Sequence, residues 1–130
     1  MTGRELFPII NCADLPGTRA FYERVFHAVE TYRFPGAGEP TFLVLQVGDG
    51  QLGLGVGTTA AMYGDTPRPA TGHPVDLCVY VEDLPAALEA ARRAGAAVPV
   101  DAQEMPWGET VAYVRDPEGT MLLVVRSGQG

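Results

Sequence analysis

The amino-acid sequence predicts an α+β fold built from two tandem β-α-β-β-β modules. The chain repeats itself: a shift of 69 residues (83 − 14 = 69) lays Asp14-Leu15-Pro16 on Asp83-Leu84-Pro85, and the same shift carries residues 2–56 onto 71–125 without an insertion. Arg24 then meets Arg93, Ala28-Val29 meets Ala97-Val98, Thr41 meets Thr110, Gly50 meets Gly119 and Leu54 meets Leu123. A register held from end to end marks a duplicated unit. Each half also carries the same helix start and the same pair of strand-like runs around a glycine-bearing turn. The expected organisation is a single domain over 1–130, with module one at 1–56, a linker at 57–72 and module two at 73–130.

Phe7 to Ala13 and Val75 to Glu82 are apolar and β-branched enough to form strands. Each runs into an Asp, at 14 and 83, whose carboxylate can accept from the first free N–H groups of a helix. Pro16 and Pro85 sit in the first helical turn, where a missing N–H leaves no bond unmade. Leu15, Phe21, Tyr22, Val25 and Phe26 form one apolar stripe, and Leu84, Leu88 and Ala91 form the other before Gly95 ends the helix. A glycine- and proline-rich loop follows in each half. Paired strands come next, Thr41–Val47 with Gln51–Val56 and Thr110–Arg115 with Thr120–Val125. Gly48-Asp49-Gly50 and Asp116-Pro117-Glu118-Gly119 turn these hairpins, and residues 57–72 read as a flexible connection.

Composition narrows the function classes. The chain has 130 residues, 46% of them apolar, enough for one domain with its own core. The formal charge of −7, with nine scattered basic residues, excludes a phosphate-binding surface for nucleic acid. No apolar run approaches the roughly 20 residues of a membrane span. The amino end MTGRELF lacks a signal-peptide pattern. Cys12 and Cys78 each stand in an alternating apolar stretch and read as reduced, buried thiols, so a cytoplasmic location is expected. GDGQLGLGVG lies on a hairpin strand and not at a helix start, so it is no phosphate loop, and no cofactor is expected. No G-x-S-x-G and no Cys with a nearby His in the chain supports nucleophilic catalysis, and no catalytic residue is assigned.

The DLP-capped helix with Ala20-Phe21-Tyr22, followed by Pro106-Trp107-Gly108 and a strand ending in Asp116-Pro117-Glu118-Gly119-Thr120, resembles the vicinal oxygen chelate superfamily of glyoxalases, bleomycin-resistance proteins and extradiol dioxygenases. The resemblance covers nearly the whole chain, and the Pro-Trp-Gly loop is similar to the bleomycin-resistance branch. It implies that the modules curl their sheets around a cleft and that the protein is a homodimer, with modules swapped or unswapped. It also implies a ligand on the first and last strand of each module in metal-dependent members. Those positions fall here on Phe7, Leu54, Asp76 and Leu123. Only Asp76 can bind a metal, and one carboxylate cannot replace the hydration shell of a divalent ion, so no metal site is expected. His73 lies three residues from Asp76, on the opposite face of a strand, and His27 reads as a structural residue at a helix end.

With Phe7 facing the cleft, alternation sends Ile9 the same way, and in the second module Asp76, Cys78 and Tyr80. Leu54 and Leu123 face them. Trp107, between Pro and Gly, can stack on a flat ring, while Phe34 and Glu109 stand in or beside the same loops. The candidate ligand-binding residues are therefore Phe7, Ile9, Phe34, Leu54, Asp76, Cys78, Trp107, Glu109 and Leu123. An apolar cleft with a polar anchor suits a hydrophobic, aromatic or cationic small molecule. Three functions stay open: metal-free sequestration of a drug or metabolite, as in antibiotic resistance, a glyoxalase-like lyase, isomerase or dioxygenase with or without a divalent metal, and a non-catalytic accessory or regulatory subunit.

Overall fold

A computed structural model describes residues 6–56 and 76–127, so the expected linker, His73 and the outer ends of both modules lie outside the described residues. The chain runs β1 (Ile9–Asn11), α1 (Leu15–Phe26), β2 (Val29–Phe34), β3 (Phe42–Val47), β4 (Gly50–Gly55), β5 (Leu77–Val81), α2 (Leu84–Arg93), β6 (Val100–Glu104), β7 (Thr110–Arg115) and β8 (Met121–Arg126). These form two four-stranded mixed sheets of identical order, β1-β4-β3-β2 and β5-β8-β7-β6. The first strand of each module pairs parallel with the last, and the other neighbours are antiparallel. The α+β class and the two tandem modules are as the sequence predicts.

Both helices start where the sequence places them. Asp14 accepts the Gly17 N–H and Asp83 accepts the Ala86 N–H, each at 3.0 Å. Both helices pack on one face of the sheets, and their stripes join Leu43, Leu45, Leu52, Leu54, Ala112, Val114, Leu122 and Val124 in a continuous core. α1 ends at His27, which adopts left-handed backbone (φ 57°) and closes the helix.

Three details differ from expectation. The strand after each helix, β2 and β6, begins inside what reads as loop. β1 is only three residues long, because Pro8 has no N–H for the ladder, although its carbonyl accepts the Gly53 N–H at 2.8 Å. The second hairpin also breaks the uniform register: Phe42 pairs with Gly55, and Val111 pairs with Val125. The outgoing strand therefore keeps the shift of 69 (111 − 42 = 69) while the returning strand takes 70 (125 − 55 = 70). One extra residue in the 116–120 turn accounts for it.

That turn joins the modules. Glu118 accepts the backbone N–H groups of Ala13 and Asp14 at 2.9 and 2.8 Å and the Thr18 hydroxyl at 2.9 Å. Beside it the buried Tyr22 hydroxyl donates to Asp116 at 2.7 Å. Asp116 in turn accepts the N–H groups of Glu118 and Thr120, which fixes its rotamer.

Candidate functional site

Helices cover one face of each sheet and leave the other open, and strand alternation decides which side chains reach it. In the first sheet Leu43, Leu45, Leu52 and Leu54 point to the core, so Phe42, Val44 and Gly53, offset by one, point to the open face. Ile9 pairs with Gly53 and shares that face, at 54% exposure. A bulge between Glu30 and Tyr32 shifts β2 by one residue. It turns Tyr32 and Phe34 outward, 53% and 60% exposed, while Glu30 and Arg33 pair at 2.8 Å on the other side. Tyr32 and Phe42 then meet with ring centroids 6.2 Å apart. The result is an aromatic, uncharged patch.

Gly53 allows this crowding, since a Cβ there would lie 2.9 Å from the Ile9 Cγ1 and 3.3 Å from the Phe42 ring.

The second sheet differs. Leu77, Val79 and Val81 pack toward the core, which leaves Tyr80 exposed on the open face and with it Cys78, whose thiol the sequence predicts to be buried. Cys78 pairs directly with Leu123. At the end of the β6–β7 hairpin, Gly108 N–H donates to the Met105 carbonyl at 2.9 Å and Met105 N–H to the Glu109 carbonyl at 2.7 Å. Gly108 takes a φ of 99°, which a side chain would resist, and the turn presents Trp107 at 67% exposure. The indole is not loose, because its Nε1–H donates to the Glu109 carboxylate at 2.8 Å. Burial pushes the Cys78 thiol above its ordinary range and the Glu109 charge adds to it, which places that carboxylate within electrostatic reach of the thiol.

Several sequence-predicted residues are thus brought together: Cys78, Leu123, Glu109 and Trp107 on the second sheet, Ile9 and Phe34 on the first. Leu54 is a correction. It is fully buried among core leucines, because the one-residue difference between the hairpins makes Gly53, and not Leu54, the counterpart of Leu123. Phe7 is half-buried ahead of β1, and Asp76 is exposed ahead of β5. Tyr32, Phe42 and Gly53 were missed. Their signal was the alternation in VETYRF and FLVLQV, masked in the first case by the bulge.

The donor set does not fit a divalent metal. Phe7, Leu54 and Leu123 offer no lone pair, Gly53 offers no side chain, and no group of three or more His, Cys, Asp or Glu gathers among the described residues. No described helix is long and apolar enough to cross a membrane.

Comparison with known proteins agrees with this architecture. Uncharacterized proteins of Mycobacterium bovis and Mycobacterium tuberculosis are 30% identical over 117 residues, which is 88% of this chain and 77% and 69% of theirs. The crystal structure of TioX from Micromonospora sp. ML1 superposes with a TM-score of 0.73 at 25% identity, covering 95% of this chain and 98% of that one. A glyoxalase-related enzyme from Fulvimarina pelagi reaches a TM-score of 0.77 at 18% identity, covering 97% of this chain and 89% of its own, and shares the fold. Residues 6–124 match the profile of the Glyoxalase/Bleomycin resistance protein/Dioxygenase superfamily, and the chain belongs to that superfamily.

Proposed function

We propose that the protein binds and sequesters a hydrophobic or cationic small molecule without metal and without turning it over, as the bleomycin-resistance members of its superfamily do. The supporting observation is the pair Trp107 and Glu109. A large indole left 67% exposed but locked by a 2.8 Å hydrogen bond is preorganised to stack on a flat ring, and the carboxylate beside it favours a positive charge on that ring. Tyr80 and Cys78 extend the same surface. The exposed aromatic patch of Ile9, Tyr32 and Phe34 supplies a second wall of matching character, and a homodimer would let the walls of two chains close on one molecule.

The test is calorimetric titration of cationic aromatic drugs and their neutral analogues, run beside elemental analysis of protein purified without chelator. Saturable binding at one or two molecules per dimer, unaltered ligand after incubation, and weakening by about tenfold in Trp107→Ala support the reading. Metal near one equivalent per cleft, or a turnover abolished by Asp76→Ala, would establish the enzymatic reading instead.

A further inference from the structure

The duplicated modules meet unequally. On one side of their junction the 116–120 turn seals the contact: Glu118 binds Ala13, Asp14 and Thr18, and Asp116 binds Tyr22. The repeat supplies the opposite side with other residues. Adding 69 to positions 18 and 22 replaces the two hydroxyl donors by Ala87 and Ala91, and subtracting 69 from positions 116 and 118 replaces the acceptors by Val47 and Asp49. Three of the four side-chain roles cannot be repeated there, since Ala87 and Ala91 carry no donor and Val47 no acceptor, and only Asp49 keeps a carboxylate. Val47 and Asp49 instead line a slot of about 550 Å³ between the first hairpin and β5.

From this geometry we infer a second binding site, which borders the Trp107 surface at Cys78 and Tyr80 but lies between the two sheets: this slot takes a neutral, compact ring compound. β1 pairs with only Gly53–Gly55, and the slot opens beside the first half of β4. Tyr22 and Phe26 of α1 lie at its base with ring centroids 6.0 Å apart, Leu52, Val79 and Leu122 form its sides, and Tyr80 stands at its mouth. Ring edges and aliphatic walls favour an aromatic or alicyclic ring. A slot of this volume suits a molecule of one or two rings. Asp49, on the hairpin turn, is the one carboxylate among the described residues that line the slot, so a charged ligand would lose its hydration without a partner deeper in. The occupant differs in charge from the cationic ligand proposed for the Trp107 surface.

Indole, 2-naphthol and cyclohexanol, titrated separately into the full chain, test the site. Saturable binding of at least one is expected, with the methyl NMR signals of Leu52, Val79 and Leu122 shifting while that of Leu45, buried elsewhere in the core, stays. Gly50 begins β4, lines the slot and has room for a side chain. Gly50→Leu should therefore fill the slot and weaken binding by about tenfold, whereas Trp107→Ala should change it by less than about twofold. A cationic aromatic dye should show the reverse pattern, so the two sites can fail independently. The inference is overturned if none of the three ring compounds saturates, if the shifting signals lie elsewhere, or if a folded Gly50→Leu variant binds them as well as the parent. Should that variant not fold, the methyl shifts of the unaltered chain decide alone.

Discussion

Glu118 of the second module accepts the backbone N–H of Asp14 in the first at 2.8 Å, so the turn of one module caps the helix of the other. Asp14 already accepts the Gly17 N–H with its side chain. The two carboxylates thus serve different donors of one helix start, and the second arrives from across the junction.

Removing Glu118 should loosen the junction. Glu118→Ala strands two N–H groups and one hydroxyl, and a cost of about 2–3 kcal/mol is expected in urea unfolding, with Glu118→Gln intermediate. Burial alone would raise this carboxyl, but the N–H groups of Ala13 and Asp14 and the Thr18 hydroxyl outweigh it and hold it below its ordinary 4.5. Because the folded value is the lower one, its stabilisation is complete above 4.5 and is lost as pH falls through the folded value. The gap between parent and Glu118→Gln should be flat at neutral pH and narrow on the acid side. A gap that widened on acidification would contradict the cap.

Tyr22→Phe isolates the second junction bond. Tyr22 is 1% exposed and its hydroxyl reaches Asp116 at 2.7 Å, while burial and the Asp116 charge both hold that hydroxyl in its neutral, donating form. Loss of one buried bond to a carboxylate should cost about 1.5–3 kcal/mol. Asp116 keeps two backbone donors, so the turn should persist. A stability change near zero would mean that water replaces the phenol.

Much of this was legible in the sequence because it is locally encoded. Asp14 and Asp83 announce their helices through side-chain chemistry that acts within three residues, and the repeat states the module twice. The open faces were harder. Their register depends on how many residues each turn spends, and between equivalent strand pairs the first turn spends four, 47–50, and the second five, 116–120, enough to exchange Leu54 for Gly53. Tyr32 was hidden for the same reason, since a bulge cancels the alternation that would reveal it. The Glu118 contact spans 104 positions and no local pattern foretells it.

The two thiols should differ sharply. Cys78 is exposed and Cys12 buried, and burial followed by the Glu118 charge pushes Cys12 up to about 11. Iodoacetamide should alkylate one thiol in the native protein and the second only after unfolding. Since burial and then Glu109 hold Cys78 in its protonated form, the native reaction should be slow near neutrality and quicken with pH. Glu109→Gln should accelerate it. Equal labelling of both thiols in mass spectra of the native chain would contradict the placement of Cys12.

Gly53 should act on the open face through Ile9. A Cβ at Gly53 would sit 2.9 Å from the Ile9 Cγ1, a contact too close to keep, and 3.3 Å from the Phe42 ring. Ile9 is half exposed and can swing away, so Gly53→Ala should cost about 1 kcal/mol or less, while the branched Gly53→Val should cost about 1–3 kcal/mol by pressing on Phe42 as well. Phe42 transmits the displacement to Tyr32, whose ring it touches. Ligand affinity at this patch should therefore fall more than stability does. Pairing Gly53→Ala with Ile9→Ala relieves the tighter contact, so the double variant should be more stable than the sum of the two single losses predicts. Strict additivity would mean that Ile9 is not the residue Gly53 accommodates, and that the glycine is required by the strand backbone alone.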